Sequence, residues 1–195
     1  MKTMIKTRML LAFVAGLSAM TLCAADRPKG WMPAGNNPAN YEMTTDHTQV
    51  HGGKASATLK CTAAKPRGFG TLMQTVKADA FRGKRVRFSG YVRSQDVTDW
   101  SGLWMRIDGP NQQMLGFDNM QERPIKGTTD WALCEIVLDV PSQAESFSFG
   151  LLLSKGGQAW MDDLKFEVVG SDVPTTGKAP VQTEPLAPRN LNFEE

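Results

Sequence analysis

From Tyr41 to Val169 no segment sustains helical periodicity; short runs of alternating polarity recur, each closed by a turn signal. This pattern narrows the fold more than any other feature, because a period of two is the signature of strands with one buried face. Strands are expected near 41–46, 54–61, 70–77, 85–94, 101–108, 114–118, 132–139, 146–154 and 158–169. Gly52-Gly53, Gly109-Pro110-Asn111 and Gly156-Gly157 supply reversals between them, since glycine reaches positive φ without steric cost. The class is all-β, and about nine short strands in a stretch of this length read as a single β-sandwich. Residues 26–40, rich in Pro, Gly and Asn, read as a lead-in loop with Trp31 as a packing anchor. The sandwich domain is placed at 41–169, and residues 170–195 read as a flexible Pro-rich tail.

The N-terminus adds an address. Lys2, Lys6 and Arg8 precede the mostly apolar or small run Met9–Ala25, which ends in Cys23-Ala24-Ala25. A charged start, an apolar middle and a small-residue exit form a signal peptide, here residues 1–25, and place the remainder in the periplasm or outside the cell. Lipoprotein anchoring through Cys23 is disfavoured because Leu22 precedes it. Removing the segment's three bases from the 22 in the chain leaves 19 against 20 acids. Such a domain has no sequence-independent pull on nucleic acid. Beyond the signal no membrane span is expected. Cys61 and Cys134 remain, on faces read as core; an oxidising compartment permits a bridge between them, and a pair of small buried thiols fits equally.

Strand parity sorts the side chains by face. Val86, Phe88 and Val92 oppose Arg87, Ser89, Tyr91 and Arg93; Leu103, Met105 and Ile107 oppose Trp104, Arg106 and Asp108. Leu115 and Phe117 oppose Met114 and Asp118, and the apolar sets are read as core. If these strands share a sheet, Tyr91, Arg93, Trp104, Arg106 and Asp118 gather on one surface, with Trp100 from the loop 95–100 as a wall. Flat apolar rings beside planar donors and acceptors suit a sugar, which has an apolar C–H face and a hydroxyl rim. Two other readings stand beside this: the rings are covered by neighbouring loops, or the face docks a protein.

With these strands in place the chain resembles the galactose-binding-like jelly-roll β-sandwich family, which includes many bacterial carbohydrate-binding modules. The resemblance is carried by His51-Gly52-Gly53-Lys54-Ala55-Ser56, by Phe81-Arg82-Gly83-Lys84 leading into Val86–Val92, by Trp131, and by Ala159-Trp160-Met161-Asp162-Asp163-Leu164-Lys165-Phe166. It covers roughly residues 31–169 and implies a jelly roll. It also implies a structural calcium ion between the early hairpin and the last strand. Asp162 shares the parity of Leu164 and Phe166, and a carboxylate on a core face needs a partner. Calcium would be held by Asp162, Asp46 and carbonyls around Gly52 and Lys54.

Catalytic constellations are not evident. His47 and His51 lie in a glycine-broken hairpin, and Asp162 and Asp163 point to opposite faces, which rules out a shared reacting group. The expected function is therefore a non-catalytic secreted binding module for carbohydrate. The alternative is an envelope structural or adaptor domain whose partner is a protein.

Overall fold

The structure, a computed structural model, describes residues 26–177. The proposed signal peptide, Cys23 and the tail beyond Gly177 lie outside the described residues. Nine strands follow in order: β1 (Met32–Gly35), β2 (Tyr41–Asp46), β3 (Ser56–Cys61), β4 (Phe69–Lys77), β5 (Arg85–Asp108), β6 (Met114–Asp118), β7 (Ile125–Asp139), β8 (Ser146–Ser154) and β9 (Gln158–Val169). The strand order β1-β4-β8-β5-β9-β3-β2, with β6 and β7 also paired to β5, makes an all-antiparallel jelly-roll β-sandwich.

Its organiser is β5. Residues 85–95 pair with β7 and β9 in one layer, whereas 100–108 pair with β8 and β6 in the other. The strand passes between layers through register shifts from Val92 to Ser101, with Asp96 at a positive φ of 53°. A bulge bends a strand and strengthens its twist, which lets one strand serve both layers.

The core closes where the layers meet. Phe88 on β5 and Phe166 on β9 stack at 5.1 Å, and Phe149 on β8 reaches both at 5.2 and 4.8 Å. Leu59, Leu72, Leu103, Met105, Ile107, Ile136 and Leu151 are fully buried around them. Burying each such side chain stabilises by about 1.5–3 kcal/mol. Buried hydroxyls are satisfied within the sheets: Ser101 Oγ donates to the Leu152 carbonyl and Thr58 Oγ1 to that of Ala159.

Three expectations change. The lead-in 26–40 is not all loop: Met32–Gly35 adds to β4 as an edge strand, and Trp31 meets Phe149 edge-on at 6.0 Å. The runs 85–94 and 101–108 are one strand, so the count of nine survives because β1 was missed and β5 was split. The start of the tail is docked rather than loose. Thr176 exchanges hydrogen bonds with the backbone of Val137, and Arg85 donates to the carbonyls of Ser171 and Val173. Cys61 and Cys134 are both free thiols, on β3 and β7.

Candidate functional site

Where β5 runs in its second layer, one of its faces forms the floor of a cleft with a volume of about 740 Å³. Trp104, Arg106 and Asp108 lie along that face, opposite Gly150, Ser148 and Ser146 of β8. On β4, Thr71, Met73 and Thr75 continue the same rows. The depression follows from residue size: Ser146 and Ser148 turn small groups to the cleft, Gly150 lets β4 approach closely, and Phe147 and Phe149 fill the core. Phe69 and Phe117 provide further ring surface in the lining, with Asn36 and Gln112 as amides.

Trp104 is pinned. Its Nε1–H donates to Thr71 Oγ1 at 2.7 Å, and Thr71 donates onward to the Leu151 carbonyl at 2.7 Å. Only 9% of the tryptophan is exposed, so it is a floor tile more than a free-standing platform. Arg106 is fixed from the side: Nε and Nη2 both lie 2.7 Å from Asp108 Oδ1, and Nη2 also reaches the Gln112 carbonyl at 3.2 Å. A held guanidinium beside rings and hydroxyls recognises hydroxyl groups with little ordering cost.

The remaining residues expected at this surface lie elsewhere. Tyr91 and Arg93 are in the other layer, because β5 changes sheet between them and Trp104. His51 stacks on Tyr91 with centroids 3.5 Å apart, and Trp131 meets His51 edge-on at 5.8 Å. Arg93 donates to Gln49 Oε1 at 2.6 Å and sits 5.9 Å over Trp160. These residues fasten the 47–54 hairpin to the outer sheet. Trp100 shares the strand face of Trp104 but pairs with Ser154 and stands outside the lining; its segment, expected as a loop, is strand.

Asp118 is corrected with Phe117. A register shift near Asp108 places Arg106 opposite Phe117 and Met105 opposite Asp118, which reverses the expected parity. Phe117 therefore joins the cleft and Asp118 turns inward. Asp118 is 7% exposed and accepts from Arg123, the Met120 N–H and Thr176, a role that ties down chain segments.

The set expected for calcium is also arranged differently. Asp162 Oδ2 accepts the N–H groups of His51 and Gly52 at 2.8 and 3.1 Å, and Oδ1 accepts that of Asp163 at 2.8 Å. Asp46 Oδ1 accepts from Thr48 and Gln49, its Oδ2 from Trp160 Nε1 at 2.8 Å, and the Lys54 carbonyl meets His47 Nδ1 at 2.9 Å. Calcium needs six to eight oxygen ligands; here both carboxylates are engaged by hydrogen-bond donors and the described residues bring no three acidic, His or Cys side chains together, so this donor set does not fit the ion. Burial pushes the Asp46 carboxyl up, but the Trp160, Thr48 and Gln49 donors outweigh it and hold the group at about 2. The Asp163 carboxylate closes over Gly52, where a Cβ would stand 2.6 Å from Oδ2 and push that side chain aside.

Sequence reasoning missed Phe69, Phe117, Thr71 and Asn36. A usable signal existed in Ser146-Phe147-Ser148-Phe149-Gly150, where the small residues alternate strictly with large ones. A hollow beside a tryptophan is what that alternation builds.

The fold and cleft can be set beside known proteins. No family model matches the chain. A curated protein of Bacillus subtilis (strain 168), the uncharacterized HTH-type transcriptional regulator YbfP, is 45% identical over 168 residues, which is 86% of this chain. The chain spans only 57% of that protein's length. Among solved structures, the CBM22-1 xylan-binding domain of Paenibacillus barcinonensis Xyn10C matches with a TM-score of 0.54 over 75% of this chain and 90% of that one. The C-terminal family 22 carbohydrate-binding module of Clostridium thermocellum Xyn10B, whose cleft residues act in ligand binding, matches with a TM-score of 0.50 over 75% and 89%. Identities are 14% and 15%, so the likeness is one of fold.

Proposed function

We propose that this domain is a non-catalytic binding module whose ligand is a carbohydrate held in the cleft between β1, β4, β8, β5 and β6. One observation carries the reading: a concave sheet face that combines Trp104, Phe69 and Phe117 with a fixed Arg106–Asp108 pair and a row of hydroxyls. Rings offer stacking surface to the C–H face of a sugar, and the polar groups meet its hydroxyl rim. The Paenibacillus module of this fold is a xylan-binding domain and the Clostridium one has cleft residues with a role in ligand binding, which supports the reading. We further propose export, on the layout of residues 1–25. N-terminal sequencing of the protein recovered from the envelope and medium tests that part; an intact Met1 would refute it.

The decisive experiment is retention of the purified protein on a panel of immobilised polysaccharides. Retention on one polymer class, lost in Arg106→Ala, supports the module. Absence of retention on every polymer refutes it. A second reading follows from the identity with YbfP: the same cleft is the ligand-sensing part of a regulator, with a small soluble saccharide as its effector. Thermal shift against monosaccharides and disaccharides separates the two, since a sensor is stabilised by free sugar while a polymer module responds to chain length.

A further inference from the structure

We infer that the cleft selects neutral glycans and discriminates against those bearing uronic acids. This rests on the carbohydrate reading and adds the charge of the ligand to it. The ionisable side chains in the lining are Arg106, Asp108 and Glu145. The single cation is already spent: both of its nearest nitrogens lie 2.7 Å from Asp108 Oδ1. The Asp108 side chain is only 15% exposed, so solvent screens it poorly. Glu145 has no basic residue beside it in the lining and adds a second negative charge. Lys77 pairs with Ser146 at the end of β4 and shares this strand face, but it is exposed and outside the lining.

A ligand carboxylate entering here meets two like charges and a guanidinium that is already paired. Recruiting Arg106 to the ligand would take it from Asp108, so the ion pair gained is offset by the ion pair lost. Neutral hydroxyls face no such conflict, because Asp108, Glu145 and Gln112 accept from them and Asn36 and the serines both donate and accept. The specificity is thus built from repulsion as well as attraction.

The test compares matched polymers by affinity electrophoresis of the full protein: methyl-esterified polygalacturonate with its de-esterified form, and arabinoxylan with glucuronoxylan. The expected result is that the neutral member of at least one pair is retained at least tenfold more strongly than its uronate counterpart. That ratio should narrow in Glu145→Gln and at high salt, where like-charge repulsion is screened. A uronate polymer bound as tightly as its neutral partner overturns the inference while leaving the module reading intact. A ratio unchanged by both Glu145→Gln and salt also overturns it, since the selectivity would then not be electrostatic. Retention of neither member of either pair overturns both.

Discussion

Replacing Arg106 by alanine separates recognition from architecture better than any other change in the cleft. The Arg106 side chain is 40% exposed and its ion pair with Asp108 is only partly withdrawn from water. Pairs of this kind contribute about 0.2–1 kcal/mol to stability. In a domain of this size about 1 kcal/mol corresponds to a Tm change of roughly 2–4 °C. Binding should suffer far more. A hydrogen bond from a charged donor to a ligand contributes about 1.5–3 kcal/mol, which converts to roughly a 10- to 150-fold weaker Kd. The assay is isothermal calorimetry with an oligosaccharide of the retained polymer, beside a thermal melt of the same sample. Arg85→Ala serves as control, because that residue pairs with Asp139 and the docked C-terminal segment away from the cleft. Unchanged affinity in Arg106→Ala refutes the placement of the ligand. A fall in Tm beyond about 10 °C would instead refute the claim that Arg106 is spared a structural duty.

Trp104→Ala behaves differently: the ring is buried and bonded to Thr71, so truncation should cost about 3–5 kcal/mol and lower Tm by roughly 6–20 °C in a thermal melt, along with binding. Acid stability should depend on Asp46. Its folded-state pKa of about 2 lies below the unfolded value, so its contribution is present above pH 4 and is lost as pH falls through 2; Asp46→Asn should flatten that limb of a Tm-against-pH curve. Calcium added to metal-free protein should leave Tm within about 1 °C, because the carboxylates of Asp46 and Asp162 are held by N–H donors. Burial pushes the Cys134 thiol up to about 11, so native protein at pH 8 should resist alkylation there until denaturant is added.

The strand pattern was legible because its cause is local. Alternation at 146–154 and 158–169 matches β8 and β9 residue for residue, and Val86, Phe88, Leu103, Met105 and Ile107 are all fully buried as parity requires. The site was half legible. Trp104, Arg106 and Asp108 share a face within one strand, which parity can see. Whether Tyr91 joins them depends on which layer β5 occupies at each end, and that is set by bulges between Val92 and Ser101 that leave no period in the sequence. The inversion of Phe117 and Asp118 has the same origin, since a one-residue shift in register exchanges the two faces of a strand. The hairpin carboxylates misled for another reason. Parity shows that Asp162 needs a partner, but backbone N–H groups from His51 and Gly52 satisfy it as fully as a cation would, and those donors carry no side-chain signature.

The two kinds of similarity differ in what they show: the solved structures, at 14% and 15% identity, share the fold. The 45% identity is to a protein named as a transcriptional regulator, and this chain spans 57% of that protein's length. The floor of the cleft is fixed from below by Thr71 and the core phenylalanines. Its specificity then resides in the rim, where Arg106, Gln112 and Glu145 can vary without disturbing the pinned Trp104.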